Sequence, residues 1–159
     1  MSSTGDSCKE GQHKATCITC ADGDGGYIGC AQVEKKGIDN YGVKYCAAFL
    51  DSTHAAEVTV RVDNEPALVQ MAEAVGDVRV PRVTRVEKIN RAEHQQIGAA
   101  ERAHRTLQAQ IRPMGLDLKA RTNGKVHVIP GHKLYGWMVR HAPWLLVRYQ
   151  PHGTSGMTS

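Results

Sequence analysis

The chain has 159 residues, 41% apolar and 23% charged, which suits one domain, residues 1–159, with a single core. No apolar run is long enough to cross a membrane, and the opening MSSTGDSCKEGQHK lacks the apolar stretch of a secretory signal, so an intracellular setting, nuclear or cytoplasmic, is expected. The net charge of +4 divides unevenly: residues 1–78 carry six Lys/Arg against twelve Asp/Glu, and residues 79–159 carry fourteen against four. An acidic half joined to a basic half suits a protein that gathers cations and also holds a polyanion. An unevenly charged surface with no such role is the plainer alternative.

Residues Lys14 to Val33 predict a β-hairpin turned at Asp22-Gly23-Asp24-Gly25-Gly26. Asp39 or Asn40 then caps a helix whose apolar face is Val43, Cys46, Ala47 and Leu50, and Asp51-Ser52-Thr53 ends it. EVTVRVD, Glu57 to Asp63, alternates strictly and predicts a strand. Asn64-Glu65-Pro66 opens a second helix that runs to about Val75. Arg82 to Val86 is a short strand, and the polar stretch Glu87 to Gln96 is a loop.

Ala99 to Arg112 predicts a helix buried along Ala100, Ala103, Leu107 and Ile111, stopped by Pro113 and Gly115. Thr122-Asn123-Gly124 is a turn, and Leu134 to Tyr149 is a last helix carrying Trp137 and Trp144, kinked at Pro143. The order β-β-α-β-α-β-α-α predicts an α/β fold with a mixed sheet.

Two acidic positions stand out. Asp63 closes a predicted strand, where ligands of α/β folds commonly bind; alternatively Asp63 and Asn64 only cap the next helix. Glu101 lies in the first turn of a helix rich in arginine; alternatively that helix is merely solvated, with Glu favourable near its N-terminus.

Taken together, DNEP (63–66) and QQIGAAER (95–102), with 37 residues between the two acids, resemble the second and third acids of the D,D-35-E set of retroviral-type integrases. The stretch YGWMVRHAPWLLVRYQPHGTSGMTS is similar to the segment that closes that family's catalytic core, so the resemblance spans roughly residues 6–159. It implies a ribonuclease-H-like core, a mixed five-stranded sheet flanked by helices, with the first strand truncated. It also implies an origin in a long-terminal-repeat retrotransposon polyprotein, of which this chain is a fragment.

The function implied is DNA binding and metal-dependent phosphodiester strand transfer, in degenerate form. The implied site is Asp63 and Glu101 as catalytic metal ligands for Mg²⁺ or Mn²⁺, with Asp6 in the place of the first acid. Arg102, Arg105 and Arg112 would hold duplex DNA, and a homodimer is the other partner expected. The sequence departs from the family at Ile97, where Asn is usual, at Pro113, and around Asp6, since MSSTGD is a poor strand.

Two alternatives remain. One is a catalytically inactive nucleic-acid-binding remnant of the same fold. The other is a small zinc-stabilised module built on Cys8, Cys17, Cys20 and Cys30. Strand geometry opposes the second, because positions 17 and 20 of one strand point to opposite faces.

Overall fold

The computed structural model describes residues 15–23, 26–89 and 98–149. Strands β1 (Thr16–Ala21) and β2 (Ile28–Val33) form an antiparallel hairpin with Thr16 opposite Val33 and Ala21 opposite Ile28. Helix α1 (Asn40–Ser52) follows, then strand β3 (Glu57–Asp63), helix α2 (Pro66–Val78), strand β4 (Val83–Ile89) and helices α3 (Gly98–Arg121) and α4 (Tyr135–Tyr149).

The hairpin divides two cores because alternate strand residues face opposite ways. On one side Cys30, Leu107, Val139, Ala142 and Leu146 are buried, with Cys17 and Ile28 packed against them, so α3 and α4 cover that face. On the other, Val43, Cys46, Ala47, Met71 and Val75 are buried with Ile18 and Cys20, so α1 and α2 cover it. The result is helices, strands, helices in three layers.

Each local signal has a visible cause. Asp39 caps α1 by accepting a hydrogen bond of 3.0 Å from the Tyr41 N–H. Pro66 starts α2, where its missing N–H costs nothing. Gly124, at φ +79°, closes α3 as its N–H donates to the Lys119 carbonyl at 2.8 Å.

The structure corrects the sequence in three places. The five-stranded sheet is absent among the described residues: β1 pairs only with β2, and β3 pairs in parallel only with β4, giving two separate two-stranded sheets. Residues 1–14, where the first strand is expected, lie outside the described residues. Second, β4 extends to Ile89, because Glu87 and Lys88 continue the ladder beside Arg61 and Val62 despite their polarity. Third, Pro113 does not stop α3, which continues for eight more residues to Arg121. Pro113 and Ala109 are both exposed, so the carbonyl that loses its N–H partner can be solvated.

Close approach of α1 to β2 depends on a missing side chain. A Cβ at Gly29 would meet Phe49 Cδ2 at 2.6 Å and Tyr45 Oη at 2.9 Å. Alanine is ordinarily a gain over glycine in a strand. Here Gly29→Ala is expected to lower stability by about 1–3 kcal/mol through overpacking, measured as a lower urea midpoint.

Candidate nucleic-acid interface and acidic positions

Asp63 is the last residue of β3 and is half-buried, level with Ile89 at the matching end of the parallel β4. It does not cap α2. The N-cap is Glu65, which makes no side-chain capping bond; its carboxylate instead accepts a 2.6 Å hydrogen bond from Lys36. The helix-capping alternative for Asp63 therefore fails. Glu101 lies in the first turn of α3 and is exposed, its carboxylate 3.8 Å from the Arg105 guanidinium one turn on. Asp6, Gln95, Gln96 and Ile97 lie outside the described residues.

A metal-pair centre needs several oxygen ligands converging from separate elements. Among the described residues no three His, Cys, Asp or Glu side chains are grouped closely enough to hold an ion. The described residues alone therefore group no complete ligand set for a metal pair, and Asp6 is not among them. The described cysteines do not supply another centre, and Cys8 lies outside the described residues. Cys17 faces the α3–α4 core and Cys20 the α1–α2 core, so the two cannot hold one ion. Cys20 Sγ lies 3.5 Å from Cys46 Sγ, and that hydrogen bond together with burial pushes the Cys20 thiol up, away from the thiolate a metal requires.

Two groups of cations stand out in the basic half of the sequence. One is neutralised internally by acids of the acidic half. Arg79 is only 3% exposed and its guanidinium contacts Asp51 at 3.0 Å, Thr84 Oγ1 at 2.6 Å and the Ala55 carbonyl at 3.4 Å. Arg82 also contacts Asp51, at 2.8 Å, and Arg85 contacts Glu57 at 2.7 Å. These arginines tie α1, α2, β3 and β4 together, and Arg79 is too buried to meet a polyanion.

The second group lies along α3. Ala103 and Leu107 are buried, whereas Arg102, Arg105, Arg112 and Lys119 are exposed on the opposite side. At 1.5 Å per residue that row of cations spans about 25 Å. Arg102, Arg112 and Lys119 make no ion pair among the described residues. Arg112 and Lys119 also border an open cavity of about 460 Å³, lined as well by Gln108, His127 and Tyr135. Lys119 is the member that sequence reasoning missed, since ending the helix at Pro113 removes it from the row.

No family model and no curated protein matches this sequence. Among solved structures, the catalytic core domain of BIV integrase is similar to it over 93% of this chain and 91% of that one, with a TM-score of 0.52 and 13% identity. The fold is integrase-like. At that identity the likeness establishes architecture alone, which among the described residues is four helices with two small sheets.

The Asp51–Arg79 contact carries a pH signature. The hydrogen bond from Arg79 holds the Asp51 carboxyl below its usual value, with Arg82 adding to the effect. A carboxylate depressed in the folded state stabilises the fold above its unfolded pKa of about 3.9. That contribution is lost as pH falls through the lower folded value. Asp51→Asn is therefore expected to reduce the urea midpoint at pH 7 and pH 5 by the same amount, with the difference from wild type closing below about pH 4. A difference that persists undiminished at pH 2 would assign Asp51 a role independent of its charge.

Proposed function

We propose that residues 1–159 are one integrase-like core domain, of retrotransposon origin, that binds duplex DNA through α3. Asp63 and Glu101 are the remaining carboxylates of a strand-transfer centre, with Asp6 as the third where one is present. The observation that carries this reading is the likeness to the BIV integrase core over 93% of the chain, which supports equating the strand ending at Asp63 with that fold's acidic strand end. The exposed row of cations on α3 supports a polyanion as the partner.

Mg²⁺ or Mn²⁺ would supply activation of the attacking oxygen and stabilisation of the leaving one in such a centre. Three such ligands are not grouped among the described residues, which do not include Asp6, and duplex binding is the activity we propose. The remnant reading, binding without chemistry, rests on the sequence around Asp6, since MSSTGD is a poor strand. A duplex-binding titration over a range of salt tests the binding reading; salt-independent or absent binding would overturn it.

A further inference from the structure

One face of α4 carries a ring stack that the proposed function leaves unused. The helix buries Met138, Val139, Ala142 and Leu146. On its other face Trp137 and Trp144 are 56% and 44% exposed. Between them the His141 ring stacks on both, at 4.6 Å and 17° from Trp137 and at 5.1 Å and 18° from Trp144. The Arg148 guanidinium lies over Trp144, 4.8 Å from the ring centroid. Beside the stack, Arg140 lies 5.5 Å from the Tyr45 centroid and donates to the Tyr41 hydroxyl at 3.4 Å.

Helix α4 contains no Asp or Glu, and neither Arg140 nor Arg148 forms an ion pair among the described residues. Three near-parallel rings flanked by uncompensated guanidinium groups match a ligand that offers flat rings and negative charge at short intervals. Two copies of this face, set against each other, would oppose their arginines.

We infer that the α4 face built from Trp137, His141, Trp144, Arg140 and Arg148 binds single-stranded nucleic acid, its unpaired bases continuing the ring stack and its phosphates meeting the two arginines. Bases stack on aromatic side chains with little regard to sequence, and arginine adds both charge and a planar surface. A duplex keeps its bases inside and offers this face only phosphate. The inference stands on α4 and is independent of the α3 row.

Trp137 and Trp144 are the chain's two tryptophans, so intrinsic fluorescence reports this face directly. The full chain is titrated with thymidine and uridine 12-mers, and with a duplex of equal length. Saturable quenching by either single strand, and little by the duplex, is the expected result. Trp144→Ala is expected to weaken single-strand binding, measured by anisotropy of a labelled strand, by roughly five- to a hundredfold. The same substitution leaves duplex affinity unchanged, which separates this inference from the α3 reading. Arg148→Gln, which keeps both reporters, is expected to flatten the single-strand salt dependence by about 0.7 in log–log slope.

Unchanged emission with both single strands would overturn the inference, as would equal quenching by the duplex. Emission that shifts with protein concentration in the absence of nucleic acid would also overturn it and assign the face to a second copy of the chain.

Discussion

Replacing Arg102, Arg105 and Arg112 together with alanine is expected to flatten the salt dependence of duplex binding by about 2.7 in log–log slope, because each phosphate neutralised contributes about 0.9. Over a fourfold rise in salt, wild-type affinity should therefore fall about fortyfold more than that of the triple variant. The three side chains are exposed on α3 opposite Ala103 and Leu107, so their removal opens no core cavity. Arg105 is shared with Glu101 at 3.8 Å, a long contact between exposed groups that competes weakly with a phosphate. Arg121→Ala is the control. Its guanidinium is held 2.7 Å from Asp117, so it should change the slope little. Fluorescence anisotropy of a labelled duplex between 50 and 200 mM salt reads all of these, on the order of the range where such slopes are measured. An unchanged slope in the triple variant would assign the α3 arginines to solvent and move the duplex interface elsewhere.

The element order was legible because each segment carries its own period and its own stops. Val58, Val60 and Val62 alternate, and the observed strand is Glu57–Asp63. Val43, Cys46 and Ala47 recur at helical spacing and are all buried in α1. The Thr122-Asn123-Gly124 turn is the C-terminal cap of α3, since Gly124 takes the positive φ that the last turn needs. Pro113 misled because a proline removes one hydrogen bond, which a solvated helix face tolerates, while Leu107 and Ile111 on one side of it and Met114 on the other keep the helix seated on its core. Sheet count was not legible at all. Strand pairing is a long-range property, and what joins or separates the two strand pairs is not encoded in the period of either.

The site was legible in part. Asp63 at a strand end followed from alternation, and that it serves no capping role needed coordinates, since Asp-Asn before a proline fits either use. The charge split between halves pointed to a polyanion, yet Arg79, Arg82 and Arg85 all contribute to it while being held by Asp51 and Glu57. Linear charge counts cannot separate an arginine that braces the fold from one that faces solvent. The ring stack on α4 was present in the sequence as Trp137, His141, Trp144 and Arg148 at helical spacing. The same spacing describes a buried stripe, and only the burial of Met138, Val139 and Ala142 shows which face points inward.

Strand transfer by this chain in Mg²⁺ is expected to be absent or several orders of magnitude below that of a complete three-acid centre. In-line displacement at phosphorus needs the attacking and leaving oxygens stabilised together, and each missing ligand removes both charge and position from one of them. Mg²⁺ is the more demanding ion, because it requires near-octahedral oxygen geometry. Mn²⁺ binds the same type of site more tightly than Mg²⁺ and is expected to restore at most a trace. Asp63 is half-buried at the end of β3, and Glu101 is exposed one turn from an arginine; no group of three ligands is found among the described residues, which do not include Asp6. The measurement is a strand-transfer and nicking assay on labelled duplex DNA, run with each ion, for wild type, Asp6→Asn, Asp63→Asn and Glu101→Gln. Any Mn²⁺-dependent trace should vanish in Asp63→Asn and Glu101→Gln and survive in Asp6→Asn. Robust turnover in Mg²⁺ that all three substitutions abolish would restore a complete acidic triad and overturn the assignment of binding alone. Retention of tight, salt-sensitive duplex binding by Asp63→Asn would show that the α3 cations act without the acidic positions, as expected if the interface and the incomplete centre are separate features of one fold.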